Sequence, residues 1–445
     1  MTILAKYSGS LWAMSEYGWY PFLLLIATPW FLHQLGTEEY GYWMLLTATT
    51  AFGGVLNTGT GAATIKAVSA VIGRNGDLNG TQSVVRASLA IAILGGGALG
   101  VIVFAIFTLF GTSLLGQMNS LEFIRQTGLA AALLIWLEQL DNVFASTLKG
   151  AEHFGIAARV EIISKSAQVA VSALVLWVWP SLSALYLSLI IVAVLRLCAK
   201  FIIVRMKFGY PQLMPSFEGV SEILNFAKWG WLQGVGSVLF GVADRMLVGS
   251  LLGATNLTYY SIASQLAMQI HAASTAGLSV IFPKISRKLE GKESFSLGRM
   301  MKFTMAGNLV LSTFLAGTLL IFGPQILILW IGPDAAAPTA TILPWLSVAY
   351  WVLALNVVPY YVLLGLGRVR FVGLTVLASG VLSVVAMYLS IVSFGLLGAP
   401  LGRGVYALFT LVLVLPLWRY AGAAVLTEQY ESTRPGDSKN RAVGI

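Results

Sequence analysis

Apolar runs long enough to cross a bilayer recur along the whole chain, and no other feature restricts its fold as strongly. About 20 predominantly apolar residues suffice for an α-helix to span the hydrocarbon core. Hydrophobic residues make up 57% of the sequence and charged residues only 10%, against roughly 25% charged residues in an ordinary soluble domain. We therefore expect an all-α integral membrane protein. Its predicted spans, about twelve in number, lie near residues 10–32, 42–67, 87–112, 128–148, 158–179, 182–204, 224–251, 257–282, 303–323, 339–364, 371–393 and 397–418.

Lysine and arginine are unevenly distributed among the connections between these spans. With the N-terminus inside, the predicted outer connections contain a single basic residue, Arg125, whereas the first of them carries Glu38 and Glu39. Basic residues flanking a span stay on the cytoplasmic side, so we expect both termini to be cytoplasmic. The net charge of +9 then follows from topology and gives no reason to expect a nucleic-acid partner.

The second part of the chain echoes the first, as in transporters built from internal repeats. A shift of 217 positions places Trp12 on Trp229, Glu16 on Gln233, Leu35 on Leu252, Gly36 on Gly253 and Tyr42 on Tyr259. We therefore expect two six-helix units, residues 1–208 and 209–423. Residues 424–445 carry alternating charges with Pro and Gly, a composition that predicts a disordered cytoplasmic tail.

Several kinds of chemistry find no support in the sequence. Cys198 is the one cysteine, and His33, His153 and His271 have no spacing typical of a metal site. The glycine run at 95–100 lies inside a predicted span, where it indicates close helix packing and not a dinucleotide loop. The chain also lacks the phosphate-loop pattern GxxxxGK[ST]. We therefore expect no metal, no cofactor and no hydrolysis of ATP by this chain.

Ionisable residues inside the predicted spans remain to be explained. A charged side chain at mid-membrane costs roughly 2.5–3.5 kcal/mol and usually faces protein or water. Glu138 and Asp141 are three positions apart on one helix face, and Glu161 and Lys165 have the spacing of a favourable ion pair. The residues that we single out are Glu16, Lys66, Glu138, Asp141, Glu161, Lys165, Asp244, Arg245 and Arg403.

Two interpretations of these charges stay open. Lys66, Arg245 and Arg403 are long enough to extend to an interface while their stems remain in the hydrocarbon. Carboxylates cannot extend so far, so the acids indicate a water-filled cavity or buried ion pairs. The span at 42–67 is also diluted by polar and glycine residues at 57–61, so we expect it to face protein and not lipid all round.

These features resemble the Wzx-type polysaccharide flippases of the multidrug/oligosaccharidyl-lipid/polysaccharide exporter superfamily. The resemblance rests on the pattern DRMLVGSLLGxxxxxYY at 244–260, on LGTEEYGYW at 35–43, and on LNTG at 56–59. Gly150 and Gly365 occupy similar places after the fourth and tenth spans. The resemblance covers nearly the whole chain, and its motifs are small and apolar residues at helix ends, which define an architecture better than a substrate.

The resemblance implies two six-helix bundles related by a pseudo-two-fold around a central cleft that opens alternately to each side. The implied cargo is an oligosaccharide on a polyprenyl pyrophosphate, moved from the inner to the outer leaflet of a bacterial cytoplasmic membrane during surface polysaccharide synthesis. A polymerase and chain-length machinery are implied partners. Cationic side chains in a wet cleft would replace the water around the pyrophosphate, and the candidates by depth are Lys66, Lys165, Arg245 and Arg403. Candidate ion-coupling acids are Glu16, Glu138, Asp141 and Asp244.

Two alternatives stay open at this point. An ion-coupled multidrug or cation antiporter of the same superfamily would need an acidic, aromatic cleft, and the comparable number of buried bases argues against it. A membrane-embedded polysaccharide polymerase or ligase typically has a large outer loop, and no predicted outer connection of this chain is long.

Overall fold

Helices account for nearly all of the described chain. The structure, a computed structural model, describes residues 3–75, 78–114, 120–208, 214–278, 297–366 and 368–416. The first half contains α1 Ile3–Ala51, α2 Gly53–Asn75, α3 Leu78–Ile91, a π-helical turn Ala92–Gly96, α4 Gly97–Leu109, α5 Gly111–Leu114, α6 Leu121–Gly150, α7 Phe154–Val178 and α8 Leu182–Phe208. The second half contains α9 Val220–Gly241, α10 Ala243–Leu278, α11 Leu297–Ile331, α12 Pro333–Leu355, α13 Val357–Gly365, α14 Val369–Phe394 and α15 Ala399–Thr410, with 3₁₀ turns at Gly395–Gly398 and Leu411–Val414. The all-α prediction is confirmed.

Membrane-spanning length and apolarity recur in this helix set. Within the described residues, seven helical stretches are long and apolar enough to cross a membrane. The last of them, Arg370–Val414, is 45 residues long and covers two of the predicted spans. The chain is therefore a multi-pass membrane protein, whereas the arrangement of twelve spans in two six-helix bundles stays a prediction. The predicted tail at 424–445 lies outside the described residues, and the predicted domain boundaries stay predictions.

Two glycines reverse the chain in the same way in both halves. Helix α1 turns back at Gly36, where φ is 72° and ψ is 174°, and α10 turns back at Gly253, where φ is 85° and ψ is 176°. Only glycine adopts such positive φ values without strain. The two positions are those that the 217-residue shift superimposes, so the sequence echo has a counterpart in backbone conformation. We call the end of the molecule where α1 reverses the Gly36 end, and the opposite end the Gly150 end.

Close backbone contact joins the two halves near the Gly36 end. A Cβ atom added to Gly41 would lie only 2.0 Å from the carbonyl oxygen of Ala254, so nothing larger than glycine fits there. The hydroxyl of Thr258 also donates a hydrogen bond of 2.6 Å to the carbonyl oxygen of Thr37. We call this contact of α1 with α10 the Gly41 crossing.

A second crossing, between α2 and α9, lies toward the Gly150 end. A Cβ atom on Gly230 would lie 2.6 Å from the Cα of Gly59, and the indole Nε1 of Trp231 donates to the carbonyl oxygen of Leu56 over 3.2 Å. We call this contact the Gly59 crossing. It explains the polar, glycine-rich stretch at 57–61, because glycines let the helix backbones approach closely.

Candidate functional site

A cavity of about 330 Å³ lies between the two halves, and we call it the central cavity. Residues 43–51 contribute part of its lining and lie along the chain between the two crossings. Most of the lining comes from the first half, while α10 of the second half contributes Arg245, Ser261, Gln265 and Met268. The charged residues of the lining are Glu138, Lys165, Arg196 and Arg245.

Four charged residues of α6, α7 and α8 form a buried ion network beside this cavity. The ammonium of Lys200 donates to Asp141 Oδ2 over 2.7 Å and to Glu161 Oε2 over 2.8 Å. The guanidinium of Arg196 lies 3.2 Å from Glu161 Oε1 and 3.5 Å from Asp141 Oδ2. Lys200 is 1% exposed, Asp141 6% and Arg196 7%. Such charges persist at depth because each is paired and hydrogen-bonded.

Lys165 is held much more loosely than Lys200. Its Nζ lies 3.9 Å from Glu161 Oε1, an oxygen that already accepts a hydrogen bond from Arg196. The ammonium also lies 4.5 Å from the centroid of the Tyr20 ring, a cation–π arrangement. The helix pair predicted between Glu161 and Lys165 is confirmed as a long ion pair. Lys165 therefore presents a weakly neutralised charge to the central cavity.

Arg245 faces the same cavity from the second half. Its Nε is buried without a hydrogen-bond partner among the described residues. Glu138 lies in the lining as well, and it forms no ion pair with any described residue. The cavity thus brings together three of the sequence-predicted candidates, with two incompletely paired bases and one acid.

Asp244 and Arg403 are paired with each other away from the cavity lining. Asp244 Oδ2 accepts hydrogen bonds from Arg403 Nη2 and from the hydroxyl of Tyr260, the latter over 2.8 Å. Asp244 Oδ1 accepts from the backbone N–H of Arg245 over 2.8 Å. Asp244 is 5% and Arg403 6% exposed, so Arg403 does not extend to an interface. Both oxygens of Asp244 are occupied, and the two charges neutralise each other.

Lys66 lies apart from the other candidates, in a separate pocket of about 320 Å³ lined also by Glu218 and Glu222. Its ammonium lies 4.2 Å from the centroid of the Phe226 ring. The backbone at Glu16 is part of α1, but its side chain is outside the described set.

Arg196 and Lys200 are the buried charged residues of this site that the sequence interpretation missed. They lie four positions apart inside the predicted span at 182–204. The helix that contains them has a mean hydropathy of 2.5 over its most apolar window. The sequence did contain a signal, namely two bases at helical spacing in a strongly apolar span. Unpaired charges there would be costly, so the two bases indicate buried acidic partners.

Comparisons with known proteins identify relatives over most of the chain. A sequence profile described as "Polysaccharide biosynthesis protein" matches residues 35–306, more than half of the chain. A Shigella flexneri protein provisionally assigned as an O-antigen transporter is 23% identical over 424 residues, which cover 92% of this chain and 96% of that protein.

Solved structures with the same fold include two kinds of transporter. The lipid II flippase MurJ in an inward closed conformation superimposes with a TM-score of 0.73 at 11% identity, covering 95% of this chain and 93% of that chain. An inward-facing multidrug resistance transporter of the MATE family, in the MOP superfamily, gives a TM-score of 0.68 at 15% identity and covers 93% of this chain and 99% of that chain. At these identities the likeness shows a shared fold.

Proposed function

The chain belongs to the polysaccharide biosynthesis protein family, and we propose that it is a Wzx-type flippase for an oligosaccharide linked to a polyprenyl pyrophosphate. The proposed movement is from the inner to the outer leaflet of a bacterial cytoplasmic membrane, with both termini cytoplasmic. It would supply surface polysaccharide synthesis, so a polymerase and its chain-length machinery would consume the product. The relative provisionally assigned as an O-antigen transporter supports this substrate class.

One observation carries the proposal: the central cavity contains two bases that the protein itself leaves incompletely paired. Lys165 has only a 3.9 Å contact with Glu161, and Arg245 Nε has no described partner. A pyrophosphate leaving water needs charged donors to replace its hydration, and ion-assisted hydrogen bonds are the strong ones. The lipid tail would remain in the bilayer outside the cavity.

The two crossings suggest how access would alternate. Both are packed in this structure, and the central cavity lies between them. We propose that the twelve predicted spans form two bundles that separate at the Gly59 crossing to admit substrate and at the Gly41 crossing to release it. Small residues at both contacts suit this role, because a glycine has no side chain to withdraw when the helices part. At the Gly59 crossing the hydrogen bond from Trp231 to the Leu56 carbonyl oxygen must also break.

The antiporter alternative is less consistent with the charges of this site. A cationic drug would enter a cavity whose charged lining comprises Lys165, Arg196 and Arg245 against Glu138. Like charges facing a ligand disfavour its binding.

For ion coupling, Glu138 is the acid that we propose, because Asp141 and Asp244 are engaged in ion pairs. If Glu138 carries the coupling ion, Glu138→Gln will abolish any dependence of flipping on an imposed proton or sodium gradient.

Removing the two cavity bases tests the proposal. Proteoliposomes would contain the purified chain and lipid-linked oligosaccharide extracted from source cells that lack the gene. Flipping is followed by the accessibility of the glycan to an added lectin. We expect Lys165→Gln and Arg245→Gln each to slow flipping about tenfold or more, since an ion-assisted hydrogen bond contributes about 1.5–3 kcal/mol.

Lys207→Gln is the matched control, since it removes the same charge from an exposed position of α8. This variant should flip the lipid-linked oligosaccharide at the wild-type rate. Wild-type flipping by a folded Lys165→Gln/Arg245→Gln double variant would show that the cavity bases do not bind the cargo.

A further inference from the structure

A second cavity, of about 290 Å³, lies entirely within the second half of the chain. It is enclosed by α10, α12, α13, α14 and α15, and we call it the tyrosine cavity. Its polar and aromatic lining residues are His271, Thr275, Asn356, Tyr360, Tyr361, Tyr406 and Thr410. The described lining contains no carboxylate, lysine or arginine, in contrast to the central cavity.

Two buried polar atoms of this lining lack a partner among the described residues. Asn356 is 4% exposed, and its amide nitrogen donates to the carbonyl oxygen of Ala407 over 3.2 Å and to the hydroxyl of Thr410 over 2.8 Å. Its amide oxygen Oδ1, however, has no hydrogen-bond partner, and neither does Nδ1 of His271. A buried polar group left unsatisfied costs about 1–3 kcal/mol. Their position in the wall of a cavity indicates that a ligand or water satisfies them.

The chemistry of the lining favours an uncharged ligand with several hydroxyl groups. Amide and imidazole groups can each exchange hydrogen bonds with hydroxyls, while Tyr360 and Tyr361, in edge-to-face contact at 5.4 Å, offer apolar ring surface. A metal cation would find no described carboxylate in this lining.

One face of α10 connects the two cavities. Gln265 and Met268 line the central cavity, and His271 and Thr275 line the tyrosine cavity. Intervals of three and four positions keep these residues on the same helix face. We infer that the tyrosine cavity binds the uncharged sugar portion of the cargo whose pyrophosphate occupies the central cavity, an inference that rests on the proposed function.

Three probes separate the sugar from the phosphate in a binding experiment on the full-length chain in lipid nanodiscs. They are lipid-linked oligosaccharide extracted from source cells lacking the gene, the oligosaccharide released from it by mild acid, and unglycosylated polyprenyl pyrophosphate. Tyr360→Phe removes a hydroxyl from the lining and keeps the ring, and His271→Phe replaces the imidazole and both its nitrogens with a somewhat larger apolar ring. We expect each to weaken binding of the released oligosaccharide about tenfold and to leave binding of unglycosylated lipid unchanged.

The controls distinguish this inference from the proposed function. Tyr388→Phe removes a hydroxyl from an exposed position of α14 and should bind every probe as wild type does. Unchanged oligosaccharide binding by both cavity variants would overturn the inference. Hydrogen exchange of residues 356–361 gives a second test, because a bound ligand should slow it. If sodium chloride slows this exchange and the oligosaccharide does not, the cavity binds a cation and the inference is wrong. Unchanged binding of unglycosylated lipid by Lys165→Gln would instead count against the proposed pyrophosphate site, while the oligosaccharide measurements would still report on the tyrosine cavity.

Discussion

Lys200 and Lys165 show that two bases beside the same carboxylate, that of Glu161, have different roles. Lys200 is in hydrogen-bond contact with two carboxylates, at 2.7 and 2.8 Å, and is almost fully buried. Lys165 has one long contact of 3.9 Å and faces the central cavity. The first is therefore structural, and the second is able to exchange its carboxylate for a ligand.

Replacing Lys200 should destabilise the protein strongly. Lys200→Met removes the close ammonium partner of Asp141 and Glu161, and breaking one side of a buried ion pair costs about 3–5 kcal/mol. We expect a clear fall in the midpoint of thermal unfolding of the purified protein, and Lys200→Met/Asp141→Asn should recover part of it by removing the excess negative charge. Lys207→Met, at an exposed position of α8, is the control. An unchanged midpoint for Lys200→Met would show that the network does not stabilise the fold.

The sequence predicts how deep in the membrane a charged residue lies, and individual site residues were predictable only to that extent. Depth alone selected Lys165, Arg245 and Glu138 as candidates, and all three line the central cavity. It also selected Lys66 and Arg403, which the structure places elsewhere, because depth does not determine the rotation of a helix about its axis. Arg403 is paired with Asp244 across 159 positions of sequence, a contact that no local pattern encodes.

At the scale of elements, Gly36 and Gly253 were predictable as equivalent positions between spans, but their backbone conformation was not. The predicted spans ended and began near both glycines, and the 217-residue shift paired them. Their common positive φ is a backbone property that sequence periodicity does not report. The two crossings were even less predictable from the sequence, since they depend on how the two halves pack against each other.

Adding a methyl group at either crossing should open that crossing selectively. Gly41→Ala places a Cβ atom 2.0 Å from the Ala254 carbonyl oxygen, and Gly59→Ala places one 2.5 Å from the Ala227 carbonyl oxygen, so in each case the backbones must move apart. In a Cys198→Ser background, we expect Gly41→Ala to speed maleimide labelling of a Thr258→Cys reporter several-fold, because Thr258 is fully buried at that contact.

Gly59→Ala should leave labelling of the Thr258→Cys reporter at its wild-type rate or lower it. Gly73→Ala is the control for the added methyl group, because nothing lies within 4 Å of its Cβ position. Equal labelling in Gly41→Ala and Gly73→Ala proteins would mean that the Gly41 crossing is not a closing contact.

At the scale of the whole molecule, the described buried charges of the site are distributed so that one base has no acidic counterpart at the interface of the halves. In the described first-half network and adjoining cavity wall, Glu138, Asp141 and Glu161 are opposed by Lys165, Arg196 and Lys200. In the second half, Asp244 and Arg403 neutralise each other. Arg245 is then the site base without an acidic partner among the described residues. An anionic cargo entering the central cavity would supply the negative charge that Arg245 lacks. The charge imbalance at the interface of the two halves is thus consistent with the proposed transport of a pyrophosphate.

Locking either crossing should stop transport if the halves must separate at both. In a Cys198→Ser background, Thr37→Cys/Thr258→Cys would lock the Gly41 crossing. Val55→Cys/Gly234→Cys would lock the Gly59 crossing, where a Cβ on Gly234 lies 3.0 Å from the Val55 Cα, within reach of a disulfide. We expect oxidation to abolish flipping in both variants and reduction to restore it.

A cross-link within one half is the matched control for these locks. Thr64→Cys/Ser88→Cys joins α2 to α3, whose hydroxyl groups at these positions are 2.9 Å apart, and both helices belong to the first half. Because bundles that rock as rigid bodies keep such internal distances, this variant should flip substrate whether oxidised or reduced. Continued flipping with a quantitatively formed Thr37–Thr258 or Val55–Gly234 cross-link would show that cargo does not pass between the crossings, and that the central cavity is a closed structural feature of the membrane-embedded fold.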